Sequence, residues 1–201
     1  MTVPPLGGCV TLHSGEQIDF SVPGEQVDAV LKQLQGGRPF ARPALVLAGP
    51  QSLIACPGAA IVRLDLDEHP AVQASDIEQL PAGYSRREVT ADEWRTGTAE
   101  MEAQGLSRTE RLSTPGATIT VYGRFGLTSA DTFYHRHELP TPELFEQRRF
   151  LANLFTQGSF AFERATGGVS VLNPAHILYA QYHPGAMPTA DSWMVSQFQL
   201  Q

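Results

Sequence analysis

Cys9-Val10-Thr11-Leu12-His13, then Ser14-Gly15-Glu16, then Gln17-Ile18-Asp19-Phe20-Ser21-Val22 is the stretch from which the fold can be read. Val10 and Leu12 alternate with polar neighbours, and so do Ile18, Phe20 and Val22. Period-2 alternation on both sides of a Ser-Gly turn predicts a β-hairpin with one buried face. Pro23-Gly24 breaks the strand. Val27, Val30, Leu31 and Leu34 then recur at helical spacing, and Gly36-Gly37 is a helix stop signal. Short apolar runs follow around Phe40, at Ala44 to Leu47 and at Ser52 to Cys56. Pro57-Gly58 leads into an alternating strand from Ala60 to Leu66.

The same order returns later in the chain. Thr118 to Phe125 and Thr132 to His137 predict a second strand pair. Thr141-Pro142-Glu143 has the form of a helix start, with Thr as cap, Pro at the first helical position and an acid in the first turn. Leu144, Leu151, Leu154 and Phe155 form its apolar stripe, and Gln157-Gly158 ends it. Strands are then expected at Phe160 to Phe162, Val169 to Leu172 and Ile177 to Tyr182. Leu31-x-x-Leu34 matches Leu151-x-x-Leu154, and Phe40 matches Phe160, at one constant offset. Pro57 and Ile61 then match Pro174 and Ile177, and each stretch closes on His-Pro, at His69-Pro70 and His183-Pro184. Concurrence in order predicts an α+β protein of two tandem divergent β-β-α-β-β-β units, packed as an intramolecular pseudo-dimer. The expected boundaries are 1–70 for the first unit and 117–185 for the second. Residues 71–116 form a linker with a short helix over about 90–104, opened by the capping box Thr90-Ala91-Asp92-Glu93, with Trp94 and Met101 on its sticky face. Residues 186–201 form an apolar tail.

Composition narrows the function classes. The 201 residues carry a formal charge of −7, with an isoelectric point near 5.3, and Lys32 is the sole lysine. Nonspecific nucleic-acid binding needs clustered positive charge, so nucleic acid is not expected as a partner. No apolar run reaches the length of a membrane helix, and the start of the chain has neither the basic nor the apolar region of a secretory signal. A cytoplasmic location is the corresponding expectation. Cys9 and Cys56 are spaced unlike a metal finger and are expected to be reduced core residues. Neither a glycine-rich phosphate loop nor a nucleophile elbow occurs, so no cofactor and no catalytic residue are assigned.

The one constellation with catalytic character is His135-x-His137. Residues two apart on a strand share a face, so two imidazoles there would be able to hold one metal ion, with His176 or His183 as a third ligand. The rest of a cupin pattern, a downstream acid and a second glycine-histidine block, is absent. The plainer expectation is a solvated strand face bearing His, Arg and Glu138. The leading expectation for function is a non-catalytic interaction, adaptor or assembly module. It would bind a protein partner or a second copy of itself through sheet edges, the linker helix and the tail residues Trp193, Met194, Val195 and Phe198. The two rival expectations are a metal-binding protein or metal-dependent enzyme centred on His135 and His137, and a small-ligand sensor. In the sensor the pocket would lie between the repeats, lined by Phe133, Tyr179 and Tyr182.

Overall fold

Alternation produces the expected hairpin: β1 (Leu6–Leu12) pairs antiparallel with β2 (Gln17–Val22). The structure, a computed structural model, describes residues 3–35, 39–49, 51–78, 83–104, 118–140 and 154–184. Helix α1 (Val27–Leu34) buries Val27, Leu31 and Leu34, the positions set by the helical period. Phe40 is buried in a single 3-10 turn, Pro39–Ala41. Strands β3 (Ala44–Ala48) and β4 (Leu53–Pro57) form a two-stranded sheet of their own, and β5 (Ile61–Leu66) returns to pair with β1.

After a short helix α2 (Ala74–Ile77) comes β6 (Ser85–Glu88), then α3 (Ala91–Ala103). The Thr90 hydroxyl accepts from the Glu93 backbone N–H and the Glu93 carboxylate accepts from that of Thr90, so the capping box forms as its sequence predicts. Trp94, Gly97 and Thr98 are the buried side of this helix. Strands β7 (Thr118–Leu127), β8 (Thr132–Pro140), β9 (Phe160–Glu163), β10 (Val169–Leu172) and β11 (Ile177–His183) complete the described chain. The helix expected from Thr141 falls mostly outside the described residues, within which only the 3-10 turn Leu154–Thr156 lies.

Nine strands form one mixed sheet in the order β11-β7-β8-β6-β9-β10-β5-β1-β2. Every neighbouring pair is antiparallel except β6 beside β9. Strand β6 was not foreseen in the 71–116 connection, where only a helix is expected. Its sequence, Ser-Arg-Arg-Glu, has no apolar residue, and tertiary pairing rather than local pattern places it.

Two hairpin turns, one early and one late in the chain, share the same hydrogen bonding. In the first, the Leu12 N–H donates to Glu16 O at 2.9 Å and the Gly15 N–H to Leu12 O at 2.9 Å; in the second, Leu127 donates to Asp131 O at 2.9 Å and Ala130 to Leu127 O at 3.1 Å. Gly15 and Ala130 hold the same left-handed position, with φ of +85° and +66°. That position carries strain for alanine and none for glycine. The β1–β5 ladder steps in register beside Leu12↔Ile61, and the β7–β11 ladder steps beside Leu127↔Ile177. Phe40 and Phe160, matched in the sequence, do not correspond: one lies in a 3-10 turn and the other opens β9.

The hydrophobic cores cross between the halves. Val169, Val171 and Ala161 complete the cluster around Leu6, Val10, Leu31 and Leu64, and Val62 joins Phe125, Phe133, Phe160 and Phe162. Each fully buried side chain of this size contributes about 1.5–3 kcal/mol, so the shared residues couple early and late parts of the chain.

Candidate functional site

The middle of β8 lies between β7 and β6 in the sheet, and the rings of Phe125, Phe162 and Tyr182 pack against its inward face. His135 and His137 project from that face and are 0% and 3% exposed. The expectation of a solvated strand face is therefore corrected: Arg136 and its ion-pair partner Glu138 occupy the opposite face, while both imidazoles are core residues. The His135 ring lies 4.3 Å from that of Phe125 and 5.2 Å from that of Phe162, centre to centre. His137 Nε2 and His135 Nδ1 are 2.7 Å apart, so one donates its N–H to the other.

His135 Nε2 has no hydrogen-bond partner among the described residues. A buried N–H without an acceptor costs more than a buried lone pair. The favoured tautomer accordingly has His135 Nδ1–H donating to His137 Nε2. Burial, then the nearby Arg86 charge, pushes the His135 pKa well below its usual value, and for His137 the His135 ring adds to burial before Arg86 does. Both rings are neutral at pH 7. The third metal-ligand candidate, His176, lies elsewhere. Its Nε2 bonds Ala59 O at 2.8 Å and its Nδ1 bonds the Thr128 hydroxyl at 2.8 Å. Among the described residues no three His, Cys, Asp or Glu side chains converge as metal ligands. His183, also a candidate, packs edge-on against Trp94.

Two charged clusters that the sequence reading missed brace this region. Arg86, on β6, is buried and places Nη1 2.8 Å from both oxygens of Glu78. Glu78 also accepts the Ala161 backbone N–H at 2.9 Å, which ties the end of α2 to β9. On β5, Arg63 donates to Asp65 at 2.6 Å, to Glu88 at 3.0 Å and to the Ser170 hydroxyl at 3.0 Å. Burial opposes the Arg63 charge, and the Asp65 and Glu88 carboxylates more than offset it, raising its pKa. Sequence order hides both clusters, because their members come from different elements of the fold.

A cavity of about 320 Å³ opens beside Arg63, between the β1–β2 and β7–β8 turns. Thr11, Gln17, Arg63, Asp65, Asp131 and Phe133 are among its walls. Of the three residues expected to line a pocket, Phe133 borders this cavity. Tyr179 instead covers Gly126, where an added Cβ would meet its ring at 2.1 Å, and Tyr182 is partly buried and packs against the Phe125 and His135 rings.

Protein-family models, curated proteins and solved structures were each compared with the chain, and none matches. No described helix is long and apolar enough to cross a membrane.

Exposed apolar surface concentrates on the β3–β4 hairpin. Val46, Leu53 and Ile54 are 50%, 62% and 45% exposed, and Leu178 on the edge strand β11 is 67% exposed. The inward side of the hairpin, Leu45 and Leu47, packs on the first core. The tail residues Trp193, Met194, Val195 and Phe198 lie outside the described residues.

Proposed function

We propose that this chain is an interaction and assembly module, built by tandem duplication and working through the edges of its sheet. The observation that carries the proposal is the β3–β4 hairpin, an apolar two-stranded unit outside the nine-stranded sheet with Val46, Leu53 and Ile54 exposed. An exposed apolar strand edge is a template for pairing with another chain. The duplication is supported by the matched turns at Leu12–Glu16 and Leu127–Asp131 and by the matched register steps of β5 and β11. The pseudo-dimer is asymmetric: β9–β10 enters the large sheet, β3–β4 does not, and β6 is wedged into one side alone. A photo-crosslinking residue in place of Val46 tests the module. Crosslinks to a protein, whether another copy or a different chain, are expected; none at Val46, or no more than at the exposed Asp28, would count decisively against it.

The cavity beside Arg63 supports a second reading, a small-ligand site. Two carboxylates, Asp65 and Asp131, outnumber the one guanidinium in its walls, which suits a polar ligand bearing a cationic group. A thermal-shift screen of small amines, with Asp131→Asn beside the wild type, tests it. Stabilisation lost in the variant is the expected result.

A further inference from the structure

Among the described residues, one β ladder joins the two halves directly. Strand β10 of the second half lies antiparallel on β5 of the first, with Val169↔Leu66, Ser170↔Asp65, Val171↔Leu64 and Leu172↔Arg63. Each partner in that joint has a counterpart. The register step fixes one side: Thr11↔Arg63 in the first half corresponds to Gly126↔Tyr179 in the second, so Arg63 corresponds to Tyr179 and Leu66 to Tyr182. The 3-10 turns before β5 and β11, Gly58–Ala60 and Pro174–His176, fix the other. Counting back through them pairs Cys56 with Leu172 and Leu53 with Val169.

The counterpart joint, β4 on β11, is not made within the chain. Strand β11 ends the nine-stranded sheet and β4 lies in the small one, and among the described residues neither has a strand on its outer side. We propose that copies of this chain join head to tail, β4 of one adding antiparallel to β11 of the next, with Leu53 opposite Tyr182 and Cys56 opposite Tyr179. Leu53 and Ile54 are thereby covered, and the new ladder repeats the register of the internal one. The joint uses different surfaces on its two sides, so it closes as a ring or runs on as a filament. It rests on the duplication and assembly reading above, and it names the partner as a second copy.

The test begins with sedimentation of the full chain, whose monomer is 21.9 kDa. A mass of several chains is expected at about 100 μM, with a shift to monomer in Leu53→Lys and equally in Leu178→Lys, both at exposed positions on opposite sides of the joint. Far-UV circular dichroism checks that each variant is folded, and either folded variant suffices. Ala55 and Ala180 face each other in the proposed register. An Ala55→Cys chain mixed with an Ala180→Cys chain, both with Cys9→Ala and Cys56→Ala, is expected to form a disulfide between chains. A monomeric wild type overturns the joint, as does an oligomer that ignores both lysines and yields no disulfide. A monomer that still crosslinks through Val46 to a different protein ends the head-to-tail joint and leaves the assembly module standing. A monomer with no crosslink ends both.

Discussion

Gly123 stands directly across the β7–β8 ladder from His135, and an added Cβ there would lie 2.2 Å from Cε1 of the imidazole. The ring therefore rests on bare backbone. Neither the ring nor the strand beneath it has room to move, because His135 is fully buried and bonded to His137. Gly123→Ala is expected to cost about 1–3 kcal/mol, the usual range for overpacking a filled core. Urea unfolding measures it. The specific contact is tested by adding His135→Ala: the double variant should be more stable than the sum of the two single effects. Simple additivity would show that the clash lies elsewhere.

Stability should fall in mild acid. Both imidazoles have folded-state pKa values well below 6.5, so the unfolded chain binds more protons and stability rises with pH. Their contribution is complete above pH 6.5 and is lost as pH drops below it toward the folded values. Each group gives a limiting slope of about 1.4 kcal/mol per pH unit, and the two together about 2.7. His183, also lowered, adds in the same direction. Unfolding free energies between about pH 7.5 and about pH 5, the span in which histidine charging acts, would show this slope. The His135→Leu/His137→Leu variant should flatten it, and an unchanged profile in that variant would falsify the assignment.

Removing Arg86 alone should be severe. Arg86→Ala leaves Glu78 charged and largely buried, for an expected loss of about 3–5 kcal/mol. Arg86→Met with Glu78→Leu should recover part of that, since a buried pair repays its desolvation poorly. Recovery is incomplete because the Ala161 N–H loses its acceptor, at about 1–3 kcal/mol. Denaturant midpoints of the three proteins decide it; a double variant as unstable as Arg86→Ala would contradict the pairing.

Neither cysteine should react readily in the native protein. Cys9 lies between Asp19 on β2 and Asp65 on β5, and burial followed by Asp19 pushes its pKa up to about 11. Burial also raises that of Cys56. At pH 8 about one Cys9 thiol in a thousand is thiolate, so alkylation should be slower by orders of magnitude than in denaturant. Comparable native and denatured rates of iodoacetamide labelling would refute this environment.

Much of the fold was legible in single residues. Val10 to Val22 alternates, Val27, Leu31 and Leu34 fall at helical spacing, and Thr90 with Glu93 announces a helix start; each is a local rule obeyed locally. Strand β6 was not legible, since Arg86 is held by a carboxylate eight residues back and by strands formed much later. His135 and His137 misled for a related reason. Alternating with Arg136 and Glu138 they resemble a wet surface, and only the Phe125, Phe162 and Tyr182 rings, distant in sequence, turn that face into core. The Arg63 cluster gathers residues more than a hundred positions apart, a distance over which no periodic pattern carries information.

The β5–β10 joint has a consequence for synthesis. Asp65 and its partner Ser170 are 105 residues apart in the chain. At about 5–20 residues per second, β5 leaves the ribosome roughly 5–20 s before the strand that covers it. Through that interval the nascent chain displays a bare strand edge of the kind that recruits chaperones or aggregates. The ladder that unites the halves thus sets a waiting time, and a stop codon anywhere before Val169 makes the wait permanent.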